Sequence, residues 1–91
     1  MPYEIRFKPS AAKELAKLSA DVRRRIAPAI DGLASNARPP GAEKLAGVDA
    51  WRIRVGDYRI VYAIEDRLLV VLVLHVGNRR QVYKRLRRGS R

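Results

Sequence analysis

The stretch Trp51-Arg-Ile-Arg-Val-Gly-Asp-Tyr-Arg-Ile-Val-Tyr62 decides how this chain is to be read. Trp51, Ile53 and Val55 alternate with Arg52 and Arg54, the period-two pattern of a strand with one apolar and one polar face. Gly56-Asp57 follows as a two-residue turn, with glycine supplying the positive φ that a type II′ turn needs at its first central position. A loop that short fixes the register. Val55 then faces Tyr58, Arg54 faces Arg59, Ile53 faces Ile60 and Arg52 faces Val61. Directly opposed residues share a face, so Arg52, Arg54 and Arg59 project from one patch of sheet. Like charges set opposite each other destabilise a hairpin. A solvated arginine-rich face is the bland reading, but it gives no reason for the Arg54–Arg59 pair. An anion held between the two does, and phosphate is the first candidate.

Outward from the hairpin, Tyr3-Glu-Ile-Arg-Phe7 alternates as a strand that Pro9 stops. Ser10 can cap a first helix with Ala12, Leu15, Ala16 and Leu18 at three- and four-residue spacing. Ser19 can cap a second, with Asp21 in its first turn and an apolar stripe of Val22, Ile26, Ala29, Ile30 and Leu33. Arg23, Arg24 and Arg25 fall on the opposite side. Pro28 interrupts that helix at a cost of about 3 kcal/mol, which predicts a kink or a break after Ala27. Asn36-Ala-Arg-Pro-Pro-Gly41 is a loop by composition. Beyond the hairpin, a tight turn near Asp66-Arg67 leads to a strand over Leu68 to Gly77. Its wholly apolar run, Leu68 to Leu74, suits an interior place in the sheet.

The order β-α-α-β-β-β gives an α+β class. Two N-terminal helices pack on a mainly antiparallel four-stranded sheet, and a short basic C-terminal segment follows. The helices belong on the face of Trp51, Ile53, Val55, Tyr58, Ile60, Tyr62 and Ile64, which leaves the arginine face open. With no internal repeat, linker or low-complexity tract, residues 1–91 read as a single domain.

Composition narrows the function. The chain has 91 residues, 20 Lys+Arg against 9 Asp+Glu and a formal charge of +11, which favours nucleic acid, a ribosomal surface or an acidic partner. A hydrophobic content of 47% argues for a packed core and against a disordered basic tail. The absence of cysteine excludes disulfides and thiolate chemistry, and it fits the cytoplasm. No apolar run approaches the roughly 20 residues of a membrane span, and the first residues do not form a signal peptide. With His75 the one histidine and no cysteine, no metal-ligand cluster of workable spacing exists, so neither metal nor other cofactor is expected.

Lys44-Leu-Ala-Gly47, the Trp51–Tyr62 stretch, His75-Val-Gly-Asn-Arg79 and Val82-Tyr83 together resemble the RelE/ParE superfamily of toxin–antitoxin toxins. The opening Phe7-Lys-Pro-Ser-Ala-Ala-Lys-Glu-Leu15 with Leu18 resembles that family's first strand and helical hairpin. The resemblance covers nearly the whole chain and is most specific in Gly56-Asp-Tyr-Arg-Ile-Val-Tyr62. It implies a ribosome-dependent, metal-independent endoribonuclease that cuts mRNA in the ribosomal A site and blocks translation. A cognate antitoxin would hold it in a hetero-oligomer. The gyrase-inhibiting ParE-like branch shares the scaffold and stays open as an alternative, as does an RNA-binding member with weak turnover.

Carried over from the RelE branch, the catalytic set falls on Arg52, Arg54, Arg59, Arg79 and Tyr83. RNA phosphates would be met by Arg52, Arg54, Arg80, Lys84 and Arg85. In the chemistry so implied, the 2′-hydroxyl attacks the neighbouring phosphorus and expels the 5′-oxygen. Arg59 and Arg79 stabilise charge on the phosphorane, with Arg79 also a proton donor, and Tyr83 orients the nucleophile or stacks on a base. Where the family typically has lysines, this chain has Arg52 and Arg54, which cannot shed a proton and so cannot serve as the base. Asp57 and Glu65 are the substitutes to consider, although Asp57 belongs more simply to the turn. His75, at the end of an apolar strand, reads as a half-buried structural residue first and a proton-transfer group second.

Overall fold

The computed structural model describes residues 2–78. In chain order its elements are β1 (Glu4–Phe7), α1 (Pro9–Lys17), α2 (Ala20–Gly32), β2 (Glu43–Lys44), β3 (Trp51–Val55), β4 (Tyr58–Glu65) and β5 (Val70–Asn78). The hairpin forms as its turn residues dictate. Gly56 takes φ 60°, and the β3–β4 register pairs Val55 with Tyr58, Arg54 with Arg59, Ile53 with Ile60 and Arg52 with Val61.

The sheet runs in the order β1-β5-β4-β3-β2 and is antiparallel throughout except for the outer pair β1 and β5. It therefore has five strands where the sequence predicts four. The addition is β2, whose two residues Glu43 and Lys44 pair with Arg52 and Trp51. Two residues carry no periodicity to read. The apolar strand β5 lies between β1 and β4, the interior place its composition predicts. It starts at Val70 and not at Leu68. Leu68 is 72% exposed and Leu69 adopts φ 53°, because these two residues make the turn back from β4. Along β4 and β5 the pairing moves from Val61–His75 to Tyr62–Val73, leaving Leu74 as the extra residue of a bulge.

Both helix starts show how caps work. Ser19 caps α2, its hydroxyl accepting from the Val22 amide at 3.3 Å. The first helix begins at Pro9, one residue before the predicted cap Ser10, because a ring-fixed φ and a missing N–H suit the first helical position. Its inward face is Ala11 with Leu15 and Leu18, while Ala12 and Ala16 stay exposed, a rotation from the predicted stripe. Helix α2 continues through Pro28 to Gly32 and does not break. Pro28 is on the exposed side, where water can serve the carbonyl left without a donor, and buried Ile26 and Ile30 hold the helix down on either side.

The main core lies between the helices and the sheet and includes Ile26, Ile30, Leu33, Ile53, Ile60, Tyr62, Val71, Val73 and Val76. Tyr62 is fully buried and donates its phenol to the Ala37 carbonyl at 2.8 Å; burial pushes its pKa up to about 12. That bond fixes the loop after α2. Next to it, Arg38 reaches across to Asp66 at 3.0 Å and lies 5.3 Å over the Trp51 ring, and the Tyr3 hydroxyl donates to the same carboxylate. The Arg38 and Tyr3 bonds hold Asp66 below the usual carboxylate range.

Candidate phosphate-binding face

The face of the sheet away from the main core carries the arginines. Residues 45–50 fold back over part of it, closed by the Leu45 amide on the Ala50 carbonyl at 3.0 Å. Leu45, Val48 and Leu74 pack there on buried Ala50 and Val61. The face is consequently less open than the strand pattern predicts. Arg54 is exposed, but Arg52 retains 3% of its surface and Arg59 6%.

Burial of two guanidinium groups on one sheet face sets a requirement. Each brings five N–H donors and no acceptor, and a buried donor left unpaired costs about 1–3 kcal/mol, more when charged. Arg52 pairs through Nη2 with Glu43, its partner across β2 and β3. Its Nε and Nη1, and the Nε of Arg59, have no hydrogen-bond partner among the described residues. Arg59 stands between Arg54 on β3 and Gly77 on β5, so neither neighbour offers it an acceptor side chain. An anion approaching this face meets exposed Arg54 first, with the buried pair beside it. A cleft of about 300 Å³, lined by Pro40, Gly41, Glu43, Ile53 and Arg54, opens beside Arg54 at the β2 edge of the sheet.

The structure brings Arg52, Arg54 and Arg59 together as the register predicts. Arg79, Arg80, Tyr83, Lys84 and Arg85 lie outside the described residues. Asp57 is an exposed turn residue. Glu65 ends β4 opposite Val70, about 20 Å along the strand from Arg59 at roughly 3.3 Å per residue, too far to share a substrate atom. His75 is half-buried, with Nδ1 3.7 Å from a Glu14 oxygen, beyond hydrogen-bond range. Burial first, and the nearby Lys8 charge second, hold its pKa below the ordinary histidine value. Glu14 accepts the Val76 backbone N–H at 3.1 Å, so this region ties α1 to the edge of β5. The residue that sequence reasoning missed is Glu43. A lone acid after a proline-glycine loop gives no signal until β2 sets it opposite Arg52.

The sequence profile described as ParE toxin of type II toxin-antitoxin system, parDE, matches residues 5–83. This chain belongs to the RelE/ParE toxin family. Its likeness to RelE members is the more specific one. It is 32% identical over 89 residues to Toxin RelG of Mycobacterium tuberculosis, covering 93% of this chain and 100% of that one. Identity to the mRNA interferase toxin RelE of Escherichia coli is 34% over 82 residues, 87% of this chain and 85% of that protein. The toxin in the crystal structure of the intact E. coli RelBE toxin-antitoxin complex superposes with a TM-score of 0.75 at 32% identity, over 84% of this chain and 95% of that one. As in other RelE-like folds, two helices lie on a mixed sheet here, and the arginine hairpin sits at its centre.

Proposed function

We propose that this RelE-like protein is the toxin of a type II toxin–antitoxin pair and an endoribonuclease acting on mRNA in the ribosomal A site. The observation that carries the reading is the register-matched set Arg52, Arg54 and Arg59, in which Nε and Nη1 of Arg52 and Nε of Arg59 are buried without a partner among the described residues. A phosphodiester offers those donors two non-bridging oxygens, and a guanidinium fork matches them. The names of the relatives, RelE mRNA interferase and RelG toxin, support the same assignment.

In this reaction the ribose 2′-oxygen attacks phosphorus and the 5′-oxygen leaves. Arg59 and Arg79 stabilise the negative charge of the phosphorane, each typically worth about 10²–10³-fold. Arg79 also donates a hydrogen bond to the departing oxygen, which takes its proton from water, and Tyr83 orients the attacking ribose. Arg52, Arg54, Arg80, Lys84 and Arg85 hold flanking RNA phosphates. No metal is required, since guanidinium groups supply the charge. The RelBE complex supports a cognate antitoxin that neutralises this basic protein in a hetero-oligomer. The site of action is the cytoplasm, where translating ribosomes are, and residues 1–91 act as a single-domain unit.

The profile's ParE description favours one competing reading, inhibition of DNA gyrase. Incubating the protein with translating ribosomes and mapping new mRNA 5′ ends separates the two. Cuts confined to A-site codons are expected, together with undisturbed gyrase supercoiling. Intact mRNA with blocked supercoiling would overturn the endoribonuclease assignment.

A further inference from the structure

The proposed reaction needs a proton acceptor that the arginine set cannot supply. Arg52, Arg54 and Arg59 are donors only and stay charged in any protein environment. We propose that Glu43 is the catalytic residue that takes the proton from the attacking 2′-hydroxyl, a role that rests on the endoribonuclease reading above.

Three observations converge on Glu43. It is the direct cross-strand partner of Arg52, so β2 sets it on the arginine face. Its ion pair with Arg52 ties Oε2 to a guanidinium that is itself almost fully buried, which fixes the carboxylate's place. The side chain remains 65% exposed and lines the 300 Å³ cleft together with Arg54. Five other described carboxylates are engaged or placed differently. Asp66 is bound by Arg38 and Tyr3, Glu14 accepts from Val76, Asp49 faces Lys44 at 4.0 Å, and Asp57 and Glu65 have the positions given above.

With Oε2 held by Arg52, Oε1 is the atom left to accept a proton. A phosphate on Arg54 brings the adjoining ribose into the cleft that Glu43 walls. The 2′-O–H bond then breaks, with its proton passing to Glu43 Oε1 and its electron pair forming the bond from O2′ to phosphorus. The bond from phosphorus to O5′ breaks, its electron pair stays on O5′, and that oxygen takes a proton from water. The products are a 2′,3′-cyclic phosphate and a 5′-hydroxyl, and the carboxyl group returns its proton to water. Recruitment of Glu43 also accounts for arginine at position 52, since a guanidinium there pins the carboxylate better than it could act as a base.

The test is single-turnover cleavage of ribosome-bound mRNA by the full chain as a function of pH, comparing wild type with Glu43→Gln and Glu43→Asp. Glutamine should slow cleavage by about 10²–10⁴-fold and flatten the acid side of the pH–rate profile relative to wild type. Aspartate should recover part of the rate and restore the acid limb. Binding of catalytically inert, 2′-deoxy-substituted mRNA should remain within a few-fold, which also verifies that the variants are folded. A Glu43→Gln enzyme with wild-type rate and pH profile overturns the proposal while leaving the endoribonuclease reading intact. A slow variant that keeps the acid limb overturns it too, reducing Glu43 to a positioning residue for Arg52. Absence of cleavage by wild type removes both readings together.

Discussion

Arg59 holds a full charge at a position whose cross-strand neighbours are Arg54 and Gly77, one repelling it and the other without a side chain. Its Nε is buried with no partner among the described residues, and only 6% of the residue meets solvent. Packing alone gives no reason to keep arginine there. Replacing a buried charged group with an apolar one of similar volume is often neutral or stabilising by about 1–4 kcal/mol. Arg59→Leu should therefore leave the urea midpoint unchanged or higher while removing cleavage of ribosome-bound mRNA. A loss of several kcal/mol with activity retained would make Arg59 a structural residue. The same logic separates the three arginines by role. Arg54 is the exposed member, open to an incoming anion, whereas Arg52 and Arg59 are buried at the cost of desolvation and form the fixed part of the face.

At the scale of elements, α2 shows a local rule overruled by packing. Pro28 deletes one bond of the helical ladder, yet the helix runs on because buried Ile26 and Ile30 lie on either side of it. Pro28→Ala should restore the bond to the Arg24 carbonyl and stabilise the protein by roughly 1–3 kcal/mol, less whatever the unfolded chain regains in freedom. A higher urea midpoint with unchanged slope checks this; a lower midpoint would show that the proline ring packs usefully. The elements that were legible beforehand had strong local signals: a glycine turn that fixed the β3–β4 register, and the α2 stripe with its Ser19 cap. Those that were not depended on distant chain. Leu68 and Leu69 look like strand by composition, but the turn from β4 needs them. Residues Glu43–Lys44 become a strand only because β3 offers an edge. The burial of Arg52 and Arg59 is invisible in the alternation that placed them, because it comes from tertiary packing around the hairpin and not from the hairpin itself. The arginine cluster was readable from local pattern, whereas Glu43 beside Arg52 required the fold.

For the whole molecule, a formal charge of +11 on 91 residues sets how it meets any polyanion. Attraction of that size steers encounter at long range and weakens as salt screens it. Affinity for single-stranded RNA should fall linearly with the logarithm of salt, with a slope of roughly −0.7 for each phosphate neutralised. A titration between low and physiological salt measures that slope, and a flat line would show that shape and stacking, not charge, hold the RNA.

The parallel pairing of β1 with β5, Glu4 beside Val70 and Phe7 beside Val73, has a consequence for the order of events during synthesis. The first strand made has no lateral partner until the last described strand exists. Helices α1 and α2 can form early, and the β3–β4 hairpin can close by itself, but neither can be locked into a sheet while β5 is still inside the ribosome. Glu14, on α1, waits for the Val76 amide in the same way. A nascent chain therefore carries an unfinished sheet until β5 has left the ribosome. That delay leaves an interval in which a binding partner can reach the chain before its fold is complete.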